Sequence, residues 1–136
     1  MKLLNILFIE DDTIEVMKFN RALQTLQMDH KITEATNGEV AQLLLRNKNY
    51  IPDIIILDLN MPKISGIEFL KMLKNDAVLK YIPTVILTTS NNHRDVKECY
   101  EIGIAGYILK PLKYQDYIAS IKKLFEYWMD NVLISS

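Results

Sequence analysis

Pro52-Asp53-Ile54-Ile55-Ile56-Leu57-Asp58-Leu59-Asn60-Met61-Pro62 is the stretch on which the fold turns. Ile54 to Leu57 is a run of large apolar residues, mostly β-branched. The strand reads as Asp53 to Leu57, following Pro52 and ending at Asp58. A continuous apolar run this short suits a strand covered on both faces; a sheet with one wet side would alternate. Strands of that kind belong to parallel sheets, and parallel strands need crossovers, usually helices. The rest of the chain is then expected to alternate strand and helix.

Reading toward the N-terminus, Leu3 to Ile9 is a second almost wholly apolar run. Asp12-Thr13-Ile14-Glu15 follows as a helix start, with Asp12 as the cap and Glu15 at the capping-box position. Ile14, Met17, Ala22 and Leu26 carry helical spacing to about Gln27. Lys31 to Ala35 reads as a short strand. Asn37-Gly38 is a turn, and Val40, Leu43 and Leu44 lead a second helix. Reading toward the C-terminus, Ser65-Gly66-Ile67-Glu68 repeats the capping pattern before a helix with Ile67, Leu70 and Leu73 on one side. Thr84 to Leu87 is a strand, and Asn91 or Asn92 caps a helix to about Glu101. Ala105 to Leu109 is the last strand. From Lys113 a final helix presents Tyr117, Ile121, Leu124, Phe125 and Trp128 at spacings of three and four.

Five strands and five helices predict one α/β domain over residues 1–136, with a core from about residue 3 to 130 and no output domain after it. Ile134-Ser135-Ser136 reads as a tail, either unstructured or docked on a partner. The 136 residues fit a single core. A net charge of -1 gives no bias toward nucleic acid or acidic lipid. No apolar run approaches the ~18 residues of a membrane span, and an acidic cluster at Glu10 comes too soon for a signal peptide. Cys99 is the one cysteine, which excludes an internal disulfide and suits a reducing cytoplasm.

Open parallel sheets place their sites at the carboxyl ends of the strands. The first strand delivers Glu10-Asp11-Asp12 there, the third Asp58, the fourth Thr88-Thr89-Ser90 and the fifth Lys110-Pro111. Two carboxylates ~4 Å apart repel by about 4 kcal/mol at an effective dielectric of 20. Such a cluster calls for a cation, and Mg²⁺ suits hard oxygen ligands that leave room for water. Lys110 adds a compact positive charge and Thr88 a hydroxyl donor. The Asp58 carboxylate is the candidate nucleophile toward a phosphoryl group. The bland readings are a helix cap for Asp12, packing for Tyr107, inertness for Cys99, and surface or loop positions for His30 and His93.

In four segments the chain resembles the response-regulator receiver domain of two-component signalling. These are Ile9-Glu10-Asp11-Asp12, Leu57-Asp58-Leu59-Asn60-Met61-Pro62, Pro83 to Thr89, and Gly106-Tyr107-Ile108-Leu109-Lys110-Pro111. The resemblance implies a flavodoxin-like (βα)5 fold with strand order 2-1-3-4-5. It implies phosphorylation of Asp58 by a histidine kinase or a histidine phosphotransfer protein. It also implies Mg²⁺ held by Glu10 (mainly through water), Asp11, Asp58 and the backbone carbonyl of Asn60. Thr88 and Lys110 would bind the phosphoryl group, Thr88 and Tyr107 would act as the switch pair, and the Lys110–Pro111 peptide would be cis. Asn60 and Ser90 would tune self-dephosphorylation, to a lifetime of seconds to minutes.

Three functions compete. The first is a stand-alone phospho-acceptor that signals through protein interaction and is not a conventional enzyme. The second is a Mg²⁺-dependent aspartyl-phosphate phosphohydrolase, but Asn60 stands where such an enzyme would want a second acid or base. The third is a pseudo-receiver that binds without accepting phosphate. The long apolar stripe through Trp128, Val132 and Leu133 further predicts a homodimer through the fourth helix, the fifth strand and the fifth helix.

Overall fold

The computed structural model describes residues 2–134. Strands β1 (Asn5–Ile9), β2 (Lys31–Ala35), β3 (Ile54–Leu57), β4 (Thr84–Thr88) and β5 (Gly106–Leu109) alternate with five helices. These are α1 (Thr13–Thr25), α2 (Gly38–Leu45), α3 (Gly66–Asn75), α4 (His93–Ile102) and α5 (Tyr114–Met129). The strands form one parallel sheet in the order β2-β1-β3-β4-β5, as the resemblance implied.

The two-residue period of a strand divides each apolar run between two cores. Ile6 and Phe8 of β1, with Ile54 and Ile56 of β3, face Phe19 of α1 and Tyr117, Ile121 and Phe125 of α5. Leu7 and Ile9, with Ile55 and Leu57, face Ala41 of α2, Phe69 and Leu73 of α3, and Cys99 of α4. That double burial is why the runs are continuous.

Helix starts follow their caps. Asp12 accepts from the Ile14 amide, Ser65 from Glu68 and Asn92 from Arg94. The buried face of α1 differs from the expected stripe. Phe19, Ala22 and Leu23 pack inward, while Ile14 and Met17 are 72% and 65% exposed. At about 100° per residue, Met17 lies nearly opposite Phe19, so the spacing of Ile14 and Met17 marks the outer side. The apolar continuation of α5 packs partly on its own core, where Leu133 is buried and Trp128 half-buried. Val132 and Ile134 stay exposed. The remainder of the expected tail, Ser135 and Ser136, lies outside the described residues.

His30 lies in the loop before β2, as expected, but not at the surface. It is buried beside Phe125, ring centroids 5.5 Å apart, and its Nδ1 accepts from the Leu4 amide at 3.0 Å. That bond fixes the neutral ring with its proton on Nε2, which is enclosed without a partner. Burial lowers the His30 pKa, against an opposing pull from Asp29 and Asp53. A histidine with a depressed folded pKa binds fewer protons folded than unfolded. Its contribution is therefore intact above the ordinary histidine pKa and is lost as pH falls below about 6.5. His30→Asn keeps an acceptor for Leu4 and cannot titrate. Urea midpoints from about pH 8 to 5 should fall more steeply for wild type than for this variant; parallel slopes would refute the assignment.

Candidate functional site at the carboxyl edge of the sheet

Register brings the site residues together. Ile9 pairs with Leu57, and the Asp58 amide donates to the Ile9 carbonyl at 3.1 Å, so Glu10 and Asp58 leave the sheet side by side. Carboxylate oxygens of Glu10, Asp11 and Asp58 lie within 4.8 Å of one another. Glu10 and Asp58 are buried and Asp11 is exposed. Two enclosed hard donors with a third at the solvent edge fit a divalent oxygen-seeking cation that retains water. Asn60 follows on the loop, and its amide donates to Asp58 Oδ1 at 3.4 Å.

Asp58 sits on a backbone held against α3. The Gly66 amide donates to the Leu59 carbonyl at 3.2 Å. A Cβ on Gly66 would lie 2.7 Å from the Asp58 carbonyl oxygen and 2.6 Å from Leu59 Cα. The first turn of α3 therefore presses directly on the peptide of Asp58.

Lys110 leaves β5 with its amide bonded to the Thr88 carbonyl at 2.8 Å. Its ammonium donates to Glu10 Oε1 at 2.7 Å and lies 3.5 Å from Glu15 Oε2. Burial pushes the Glu10 carboxyl up to about 7; Lys110 pulls against that and Asp58 adds to it. For Lys110, burial favours the neutral amine, but the Glu10 hydrogen bond and the charges of Glu10, Asp58 and Glu15 outweigh it and raise its pKa.

The expected cis peptide is not found. No peptide bond among the described residues is cis, so Lys110–Pro111 is trans. The tertiary amide itself favours trans by about 0.5–1 kcal/mol. The chain then passes through Pro111 to Lys113, the extended cap residue of α5.

Thr88 is fully buried, and its Oγ1 accepts from the Ser90 amide at 3.4 Å. The half-buried Tyr107 donates its hydroxyl to the Ser90 carbonyl at 2.7 Å, and Ser90 Oγ donates to Asp95 Oδ2 at 2.9 Å. Thr88, Ser90 and Tyr107 thus form one hydrogen-bonded unit beside the carboxylates. Asp12 serves as a helix cap, His93 lies exposed at the start of α4, and burial pushes the Cys99 thiol up to about 11, which leaves it inert. Glu15 is the residue that reading the sequence missed. It was expected to reach back to its own helix start; instead the Asp12 amide donates to Glu10 Oε2 at 3.3 Å and Glu15 turns to Lys110. No spacing in the sequence ties Glu15 to β5, so only the packing of α1 beside the sheet end reveals it.

Comparison with known proteins agrees with this geometry. The family model for the response regulator receiver domain matches residues 6–122. The response regulator Rcp1 of Synechocystis sp. is 31% identical over 134 residues, covering 95% of this chain and 91% of that protein. The crystal structure of the phosphorylated cyanobacterial phytochrome response regulator RcpA superposes with a TM-score of 0.90 at 30% identity, over 98% of this chain and 99% of that one. The Mn²⁺-bound form of Rcp1 superposes at 0.83 and 30%, over 94% and 96%.

Proposed function

Because this chain belongs to the response regulator receiver domain family, we propose that it is a phospho-acceptor switch in which the Asp58 carboxylate takes a phosphoryl group from a histidine kinase or a histidine phosphotransfer protein. The observation that carries the reading is the carboxylate cluster of Glu10, Asp11 and Asp58 with the Lys110 ammonium against it. An Asp58 oxygen bonds to phosphorus as the donor's P–N bond breaks, and the imidazole leaves with the electron pair. Mg²⁺, held by Glu10, Asp11, Asp58 and the Asn60 carbonyl, would supply positive charge for the phosphoryl oxygens. Lys110 and the Thr88 hydroxyl supply donors from the neighbouring strand ends. Rearrangement of Thr88 is felt at once by Ser90 and Tyr107, because the three share hydrogen bonds.

Output by protein interaction suits the surface beyond that unit. Tyr100 of α4, Leu109 of β5 and Tyr127 of α5 are exposed, and this is the face on which a target or a second copy would read the switch. No helix among the described residues is long and apolar enough to cross a membrane. Of the relatives, RcpA was solved phosphorylated and Rcp1 with Mn²⁺; both support the same chemistry here.

The test is intact mass after incubation with acetyl phosphate or phosphoramidate and Mg²⁺. Wild type should gain one phosphoryl adduct, and Asp58→Asn or EDTA should abolish it. A folded wild type that gains no adduct from either small donor or from a phosphorylated histidine donor would point instead to the pseudo-receiver.

A further inference from the structure

The Lys110 ammonium is shared between two carboxylates, only one of which belongs to the oxygen cluster. Glu10 is in that cluster; Glu15, from the first turn of α1, is outside it. The Asp12 amide, the donor a capping-box Glu15 would accept, goes to Glu10 Oε2 instead, so the helix start does not need Glu15. Glu15 Oε2 is enclosed and has no hydrogen-bond partner, so the Lys110 charge 3.5 Å away is what compensates it. The side chains of Lys110 and Glu15 are 6% and 23% exposed, which spares the pair most solvent screening.

We propose that Glu15 is a positioning residue for Lys110, holding the ammonium on the α1 side of the cluster and competing with a phosphoryl group on Asp58 for it. The inference rests on the phospho-acceptor reading. An ammonium is a compact point charge, and closer approach to one anion weakens its hold on the others. A cation at Glu10, Asp11 and Asp58 takes up the charge of Glu10 and leaves Glu15 as the competitor for the lysine. The Glu15 charge is also felt at the Tyr117 hydroxyl. The Tyr117 hydroxyl is buried without a partner, and its pKa is raised by burial and next by the charge of Glu15. Glu15 therefore loosens the grip on the phosphoryl group and shortens the signal.

The experiment titrates full-length protein with beryllium fluoride, a phosphoryl mimic, at saturating Mg²⁺, following amide NMR shifts. Glu15→Gln should tighten the mimic at least about fivefold, since an exposed ion pair can be worth that much and this one is mostly enclosed. Glu15→Asp keeps the helix's first-turn charge but falls short of Lys110, and should behave like the Gln variant. In a Lys110→Met background Glu15→Gln should have no effect. Unchanged or weaker binding in Glu15→Gln, wild-type behaviour in Glu15→Asp, or an effect that survives Lys110→Met would each overturn the proposal. A wild type that binds no mimic and takes no phosphoryl group defeats the acceptor reading itself, and the proposal with it.

Discussion

Gly66→Ala should lower the unfolding free energy by about 3 kcal/mol, the scale of overpacking a rigid contact. The new Cβ would stand 2.6 Å from Leu59 Cα and 2.7 Å from the Asp58 carbonyl oxygen. Both are backbone atoms, so no rotamer change relieves the clash. Either α3 tilts away from the sheet or the Asp58–Leu59 peptide shifts. The first loosens Phe69, Leu70 and Leu73 from the core, and the second moves Asp58. Urea unfolding measures the stability loss, and phosphorylation from acetyl phosphate should slow in the same variant. Gly103 is the control. It ends α4 at φ +123° with open space around its Cβ position, so Gly103→Ala meets only backbone strain, of about 1–3 kcal/mol, and leaves phosphorylation unchanged. Equal effects at the two glycines would show that the close approach at Gly66 is not what holds Asp58 in place.

How much of this was legible in the sequence depends on whether a signal was local. Ile54 to Leu57 announced a strand buried on both faces because each residue meets one core or the other. The ends of the strands followed from caps and prolines, and they placed Glu10, Asp58, Thr88 and Lys110 on one rim. The failures of reading the residues themselves were matters of tertiary direction. Ile14 and Met17 have helical spacing, but spacing alone does not say which of two apolar sides of α1 meets the sheet, and the larger Phe19 won. His30 precedes a strand and looked exposed; it is buried because its ring substitutes for a missing backbone partner at Leu4. Glu15 fitted a local capping pattern, and an ion pair across the α1–β5 gap overrode it. The trans Lys110–Pro111 bond corrects an expectation that came from resemblance alone.

The second large effect belongs to Lys110→Met in the absence of divalent cation. Glu10 is almost wholly enclosed, and its compensation is the Lys110 ammonium at 2.7 Å. Removing one partner of a buried pair leaves an uncompensated charge, a loss of about 3 kcal/mol at about pH 8. The loss has a ceiling, because Glu10 can take a proton. Its carboxyl is already pushed up to about 7 with Lys110 pulling it down, and without the lysine it rises further. An acid whose folded pKa lies above its ordinary 4.5 binds more protons folded than unfolded. Stability then falls as pH rises through that window and recovers as pH drops. The gap between wild type and Lys110→Met in EDTA should therefore narrow as pH falls from about 9 toward the wild-type Glu10 value of about 7, and change little below it. Mg²⁺ should narrow it from the other direction, since a divalent cation replaces the lost positive charge, and the variant should bind Mg²⁺ more tightly than wild type. Phosphorylation should not recover in parallel, because in the proposed function the lysine also donates to the phosphoryl group. A variant whose stability is restored by Mg²⁺ while its phosphorylation stays impaired separates the two tasks of Lys110; a gap indifferent to both pH and Mg²⁺ would mean that the Glu10 pair contributes little to either.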